Sequence, residues 1–249
     1  MAETMVVRGV VLRETETKET DKILTLLTPE LGKLSVIARG ARRKNCRFAA
    51  AAQPLAYGEW TLTRRKEWFY ASEGNSLELF EGLRADLPSL ALGFYMAELT
   101  EYAAMPEEPA SELLRHLLNG LYALSALHKP PALVKPAFEI KLLCLAGYEP
   151  LADACEVCGR TDPEDPVLNA ALGTLRCKKC CHDGILSPLC PDSLAALRQI
   201  VYGDPKRLYS FRLGPDALRR LSRASTQFLF AQFERGFKTL DFYESLLPR

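Results

Sequence analysis

Two Cys-x-x-Cys pairs, Cys155/Cys158 and Cys177/Cys180, carry the sharpest chemistry in the sequence. Four thiolates so paired, with residues 159–176 between them, suit one tetrahedral Zn²⁺. Each pair makes a tight turn that aims two sulfurs at one point, and the loop lets the second pair complete the tetrahedron. A closed shell of four sulfurs leaves no open position for water or substrate, so the expected cofactor is one structural zinc. Two other chemistries compete. Disulfides need an oxidising compartment, whereas the opening Met1-Ala2-Glu3-Thr4 has neither the basic nor the apolar region of a secretory signal. A redox pair would begin a helix in a βαβ unit, whereas Cys158-Gly159 leads into the loop-forming Arg160-Thr161-Asp162-Pro163. Cys181, His182 and Cys190 lie close enough in sequence to replace one ligand. Cys144, in an apolar helical stretch, reads as a small core residue, and Cys46, in a basic loop, as an ordinary exposed thiol.

A second chemistry lies upstream. Residues 33–66 hold nine basic side chains (Lys33, Arg39, Arg42, Arg43, Lys44, Arg47, Arg64, Arg65 and Lys66) and one acid, Glu59. Concentrated cations bind a polyanion by releasing its counterions, whatever the base sequence. Phe48, Tyr57, Trp60, Trp68, Phe69 and Tyr70 are candidate stacking partners for bases, although about half of the aromatics on barrel strands must face the core. The opposing reading is a solvated loop. A further basic group, Arg219, Arg220 and Arg223, puts Arg219 and Arg223 on one helix face, to meet DNA, an acidic partner or solvent.

The elements that must position these residues follow from periodicity. Met5–Arg13, Lys22–Thr28, Lys33–Arg39, Tyr57–Thr63 and Trp68–Ser72 read as strands, with a bulge or bend at Gly9 and a Pro29–Gly32 hairpin turn. Five short strands in about 75 residues suit a small Greek-key barrel of the OB type. From Leu87 the period becomes helical, with helices beginning near Pro88, Pro109, Lys135, Pro191 and Pro215. Gly147 stops the third, and the Pro215 helix reads as the last. The expected class is α+β: an OB barrel over 1–80, then a helical domain over 81–249 with a zinc-finger insert at about 152–190.

Bulk charge conceals an asymmetry. The net +1 divides into +6 for residues 1–66, −8 for 67–154 and +3 for 155–249. With 48% hydrophobic and 25% charged residues, the composition is that of a globular protein. No apolar run approaches the roughly 20 residues of a membrane helix, so the expected location is cytoplasmic. Catalysis finds little to stand on. Of three histidines, His116 and His128 belong to a leucine-rich helical region and His182 adjoins the cysteine pairs. The sequence has no His-Glu-x-x-His, Walker P-loop or Gly-x-Ser-x-Gly motif, so the expectation is a protein that is not an enzyme.

With these residues in hand, the chain closely resembles the RecO family of bacterial DNA repair and recombination proteins. Matching blocks are Gly32–Arg43, Gln53-Pro54-Leu55, Tyr95–Leu99, and Phe138–Pro150 leading into Cys155–Gly159. The resemblance implies an N-terminal OB domain, a helical domain and, in many members, a zinc finger. It further implies binding of single- and double-stranded DNA, annealing of complementary strands and partnership with RecR. With RecR the family promotes loading of RecA onto strands coated by single-strand DNA-binding protein, whose acidic tail it recognises. In cells this implies association with the nucleoid. Lys33, Arg39, Arg42 and Arg43 carry the DNA role over by matching position. Rival classes are a non-enzymatic protein-interaction scaffold, marked by absent DNA binding at low salt, a redox enzyme, marked by disulfide turnover, and an RNA-binding zinc-ribbon protein, marked by preference for RNA.

Overall fold

The computed structural model describes residues 3–181 and 184–247. The chain forms two compact units, one running through His128 and resuming at Phe237, the other spanning Lys129–Gly236.

The first unit is built on five strands: β1 (Glu3–Thr17), β2 (Asp21–Thr28), β3 (Gly32–Ala38), β4 (Tyr57–Arg65) and β5 (Trp68–Glu78). They close a barrel in the order β1-β2-β3-β5-β4, which is the OB topology. Closure depends on the length of β1. Its first half pairs with β4, from Glu3↔Arg64 to Val10↔Tyr57, and its second with β2, from Val10↔Leu27 to Thr17↔Asp21. The register shifts between Val11 and Arg13, not at Gly9 as the sequence suggested. Gly9 instead permits a close approach, since a Cβ there would stand 2.6 Å from the Leu27 carbonyl oxygen. The β2–β3 hairpin turns as expected on Gly32, at φ +57°, with Thr28 Oγ1 donating to the Gly32 carbonyl at 3.1 Å. The parallel pairing of β3 with β5, from Val36↔Phe69 to Ala38↔Ala71, completes the barrel.

Inside lie Val7, Val11, Leu24, Leu26, Leu34, Val36, Leu62 and Phe69 around a fully buried Trp60. Residues 39–56 do not run free over the surface. They form successive turns in which Cys46 N donates to Arg43 O at 3.0 Å and Ala52 N to Phe48 O at 3.0 Å. Ala41, Phe48, Ala51 and Ala52 from this segment plug the barrel, the Phe48 ring standing 6.2 Å from that of Trp60. Gly74 makes room for the indole: a Cβ there would meet it at 2.7 Å. Among the described residues three α-helices complete the unit: α1 (Leu87–Ala103), α2 (Ser111–Ser125) and, much later in the sequence, α6 (Lys238–Ser245). Asp86 caps α1 by accepting from Ser89 N at 3.0 Å. The sequence reading missed α6, which is seated by Phe237 packing edge-on against Tyr95 (6.1 Å) and Tyr102 (6.0 Å).

The second unit holds α3 (Pro131–Leu145), α4 (Pro191–Tyr202) and α5 (Pro215–Phe233), with a three-stranded sheet of β6 (Pro166–Asn169), β7 (Thr174–Cys177) and β8 (Leu186–Pro188) in the order β7-β6-β8. The Pro130-Pro131 pair begins α3 instead of merely preceding it, because Pro131 occupies the first turn, where a missing N–H costs nothing. Gly147, at φ +91°, ends it as expected. Between α3 and α5 lies a buried ion pair: Lys135 Nζ sits 2.9 Å from Glu139 Oε1 and donates to Thr226 Oγ1 at 2.6 Å, while Ser225 Oγ donates to Glu139 Oε2 at 2.5 Å. Removing one partner strands a buried charge. Glu139→Ala is therefore expected to cost about 3–5 kcal/mol, read as a lower midpoint in denaturant. An unchanged midpoint would show that the pair does not hold α3 to α5.

Candidate nucleic-acid interface and metal centre

In an OB fold the face of strands 2 and 3 and the loops between strands 1–2 and 4–5 are the usual nucleic-acid surfaces. Here the basic segment is tied to that end of the barrel. Asp21 Oδ1 accepts from Gly40 N at 2.8 Å, and Arg42 N donates to the Thr20 carbonyl at 3.0 Å. The β1–β2 turn thus clamps the start of the segment, with Gly40 at φ +67° where side chains rarely go. Asp21's carboxyl is held below the usual carboxylate range, first by that Gly40 N–H and further by the charges of Lys18 and Arg39. An open groove of about 560 Å³ runs between the two segments, lined by Lys18, Thr20, Asp21, Arg39, Gly40 and Arg43 among others. Lys18 was not singled out from sequence. It stands among acids in the chain, and the β1–β2 turn that carries it reaches the groove shared with Arg39 only through the β2–β3 pairing Lys22↔Ala38.

The nine predicted cations separate by what they touch. Arg43, Lys44 and Arg47 are exposed on the segment, and Arg42 sits 3.2 Å from Glu16 while still exposed. Arg39 and Arg65 meet at one aromatic: their guanidinium carbons lie 5.0 and 5.6 Å from the centre of the Tyr70 ring. That shared ring joins the segment after β3 to the β4–β5 turn, where Lys66 is also exposed. Two cations are committed elsewhere in this unit. Lys33 Nζ donates to the Glu101 carbonyl at 2.7 Å, and Arg64 pairs with Glu107 at 3.0 Å. Of the aromatic candidates, Phe48, Trp60 and Phe69 are core, Tyr57 and Tyr70 are half-buried and Trp68 is exposed. The further basic group on α5 is partly self-neutralised, since Arg219 and Arg220 both pair with Asp216, at 3.1 and 2.8 Å.

In the second unit the four predicted cysteines do converge. The sulfurs of Cys155, Cys158, Cys177 and Cys180 all lie within 4.8 Å of one another, and all four are unbridged. A tetrahedron with Zn–S bonds of about 2.3 Å needs sulfurs roughly 3.8 Å apart, and Cys158 and Cys177 are at 3.5 Å. The donor set therefore fits a zinc-sized soft cation. In the first knuckle Gly159 N donates to Cys155 O at 2.8 Å with Gly159 at φ +70°, and a short 3₁₀ turn, Lys178–Cys180, forms the second. Burial pushes the Cys155 thiol up, but N–H groups of Cys158, Cys177 and Val157 overcome it and bring the thiol down, favouring a thiolate. Burial pushes Cys177 up.

Neither Cys181 nor Cys190 joins the cluster among the described residues; Cys190 is the N-cap of α4, and His182 lies outside the described residues. Sequence reading also missed Arg198. Its guanidinium donates to the carbonyls of Ala152 (2.8 Å), Asp153 (2.9 Å) and Thr161 and to the Asp162 carboxylate (3.1 Å), spanning both flanks of the first knuckle.

Comparison with known proteins matches these two regions in order. The family model for the N-terminal part of recombination protein O matches residues 1–80, and that for its C-terminal part matches residues 84–241. The chain belongs to the RecO family of DNA repair proteins. It is 31% identical over 240 residues to the DNA repair protein RecO of Acetivibrio thermocellus, covering 96% of this chain and 95% of that one. It is 32% identical to that of Symbiobacterium thermophilum over 251 residues (96% of each chain) and 34% identical to that of Anaeromyxobacter sp. strain K over 245 residues (96% of each chain). The family assignment places the molecule in DNA repair and recombination, and among the described residues no helix is long and apolar enough to cross a membrane.

Proposed function

We propose that this protein is a recombination mediator that binds DNA through its barrel, with residues 1–80 as the nucleic-acid-binding domain and 81–249 as a helical domain carrying a zinc finger at about 152–190. The observation that supports this most is the clamped basic segment. Arg39, Arg42, Arg43, Lys44 and Arg47 stand on an OB barrel at the end where such folds take nucleic acid, joined through Tyr70 to Arg65 and Lys66. Cations on that surface meet phosphates and read no base edges, so single- and double-stranded DNA of any sequence would bind. Annealing follows from the same physics: neutralising two backbones lowers their repulsion while the bases stay free to pair. Lys33 and Arg64, already tied to Glu101 and Glu107, contribute less than their charge suggests.

The four cysteines would hold one structural Zn²⁺ in a closed shell, which supplies folding energy and no chemistry. Arg198 draws the flanks of the first knuckle together beside it. No catalytic step is assigned to the protein. Its partners would be RecR, the acidic tail of single-strand DNA-binding protein and, through them, RecA, at the nucleoid in the cytoplasm. The test is annealing of complementary oligonucleotides coated with single-strand DNA-binding protein, with and without RecR. The expected result is annealing of the coated strands by this protein alone. Failure to bind either strand at low salt would favour a pure interaction scaffold, and tighter binding of RNA than DNA an RNA-binding zinc-ribbon protein.

A further inference from the structure

An acid beside clustered cations works against polyanion binding, and Asp21 occupies such a place. The groove it lines has Lys18 and Glu19 on Asp21's own turn and Arg39 and Arg43 on the basic segment. Each carboxylate there cancels part of the attraction that the cations generate. Yet this carboxylate is bonded to the basic segment itself. Oδ1 accepts from Gly40 N at 2.8 Å and from Thr20 Oγ1 at 3.3 Å. Gly40 follows directly on Arg39, and from Gly40 the chain turns, with Arg43 N donating to Gly40 O at 2.9 Å. The β2–β3 ladder ends at Lys22↔Ala38, so beyond Ala38 the strand pairing no longer holds the chain. Two backbone N–H bonds take over, Gly40 N to Asp21 and Arg42 N to the Thr20 carbonyl at 3.0 Å, and the Arg42 guanidinium adds the Glu19 carbonyl at 3.3 Å and the Glu16 carboxylate at 3.2 Å.

We propose that Asp21 is a positioning residue for the nucleic-acid interface: by accepting the Gly40 N–H it fixes where Arg39, Arg42 and Arg43 present their charges. The inference rests on the reading that this segment binds DNA, and adds that the arrangement of its cations matters as well as their number. Held in register beside the Tyr70 ring, Arg39 meets the phosphates pre-ordered. Released from Asp21, the segment must be ordered on binding, which weakens affinity. The depressed carboxyl of Asp21 agrees with this role, because the Gly40 N–H is its largest cause.

Electrostatics and positioning predict opposite signs, which makes the idea testable with the full-length protein and a mixed-sequence oligonucleotide. Asp21→Ala and Asp21→Asn remove the same charge, but only Asn keeps an acceptor for Gly40. Glu19→Gln removes a charge from the same groove without touching the bond. Positioning predicts that Glu19→Gln and Asp21→Asn bind at least as tightly as wild type. Asp21→Ala should bind roughly three- to tenfold more weakly, the net effect of losing one ordinary hydrogen bond. Asp21→Glu, which keeps the charge but displaces the carboxylate, should also weaken binding and serves if Asp21→Ala melts early. Amide exchange at Gly40 should be slow in wild type and Asp21→Asn and fast in Asp21→Ala. The proposal is overturned if Asp21→Ala binds as tightly as Asp21→Asn, or if Gly40 exchanges alike in all of them. If instead the charge reversals at Arg42, Arg43 and Lys44 leave affinity untouched, the DNA reading of the segment fails, and the positioning role with it.

Discussion

Reversing three charges, as Arg42→Glu/Arg43→Glu/Lys44→Glu, is expected to lower affinity for single-stranded DNA by on the order of a hundredfold at low salt. Arg43 and Lys44 are exposed on the clamped segment after β3, where a phosphate can reach them without unfolding anything, and Arg42, also exposed, would exchange its Glu16 partner for a phosphate. Three lost phosphate contacts should also reduce the slope of log affinity against log salt by roughly two units or more. The same charge change on α5, Arg219→Glu/Arg220→Glu/Arg223→Glu, separates position from net charge. Two of those arginines already neutralise Asp216, so the α5 triple should lose far less. Equal losses from both triples would mean that bulk charge, and not the barrel surface, governs binding.

The other large effect concerns the metal. Wild type is expected to carry about one zinc per chain, and Cys155→Ser to lose it, because three sulfurs no longer close the shell. A structural zinc of this type contributes on the order of 10 kcal/mol to the fold around it. The β6–β8 sheet would not be left wholly unsupported, since Val167, Leu168 and Leu175 are buried and Gly173 backs onto the Phe228 ring. The loss should therefore centre on the knuckles, as new protease cleavage within residues 155–180, with oligonucleotide affinity changed by no more than about threefold as expected when two sites act independently. Acid should release the metal in the same way, as protons compete for the thiolates. A Cys155→Ser protein that keeps both its zinc and its protease resistance would show that the ligand set is different.

Much of this was legible in the residues, and the failures have physical causes. Alternation of β-branched residues and the Pro29–Gly32 turn announce the barrel, but β5 was cut short at Ser72. Its remainder to Glu78 is mostly polar and, apart from Gly74, exposed, and is held as a strand by pairing with β4. The basic segment looks solvated because its charges dominate. Its alanines and Phe48 nevertheless plug the barrel through turns that have no period to detect. The cysteine cluster was readable from spacing alone, whereas the strands that carry it are three or four residues long, too short to show alternation. Lys33 and Arg64 look like free cations until Glu101 and Glu107, far along the chain, supply their acceptors. Arg198 and α6 were invisible for the same reason: each is defined by distant partners, the first by the knuckle's carbonyls and the second by Tyr95 and Tyr102.

The central claim is that the barrel binds DNA through its phosphates, and salt tests it most directly. Affinity of the wild-type protein for a single-stranded oligonucleotide of mixed sequence should be measured between low and physiological salt. With about five cations engaged, log affinity should fall linearly with log salt at a slope of roughly −3 to −4, alike for unrelated sequences. A slope near zero, or affinity that follows base sequence at constant salt, would contradict the account.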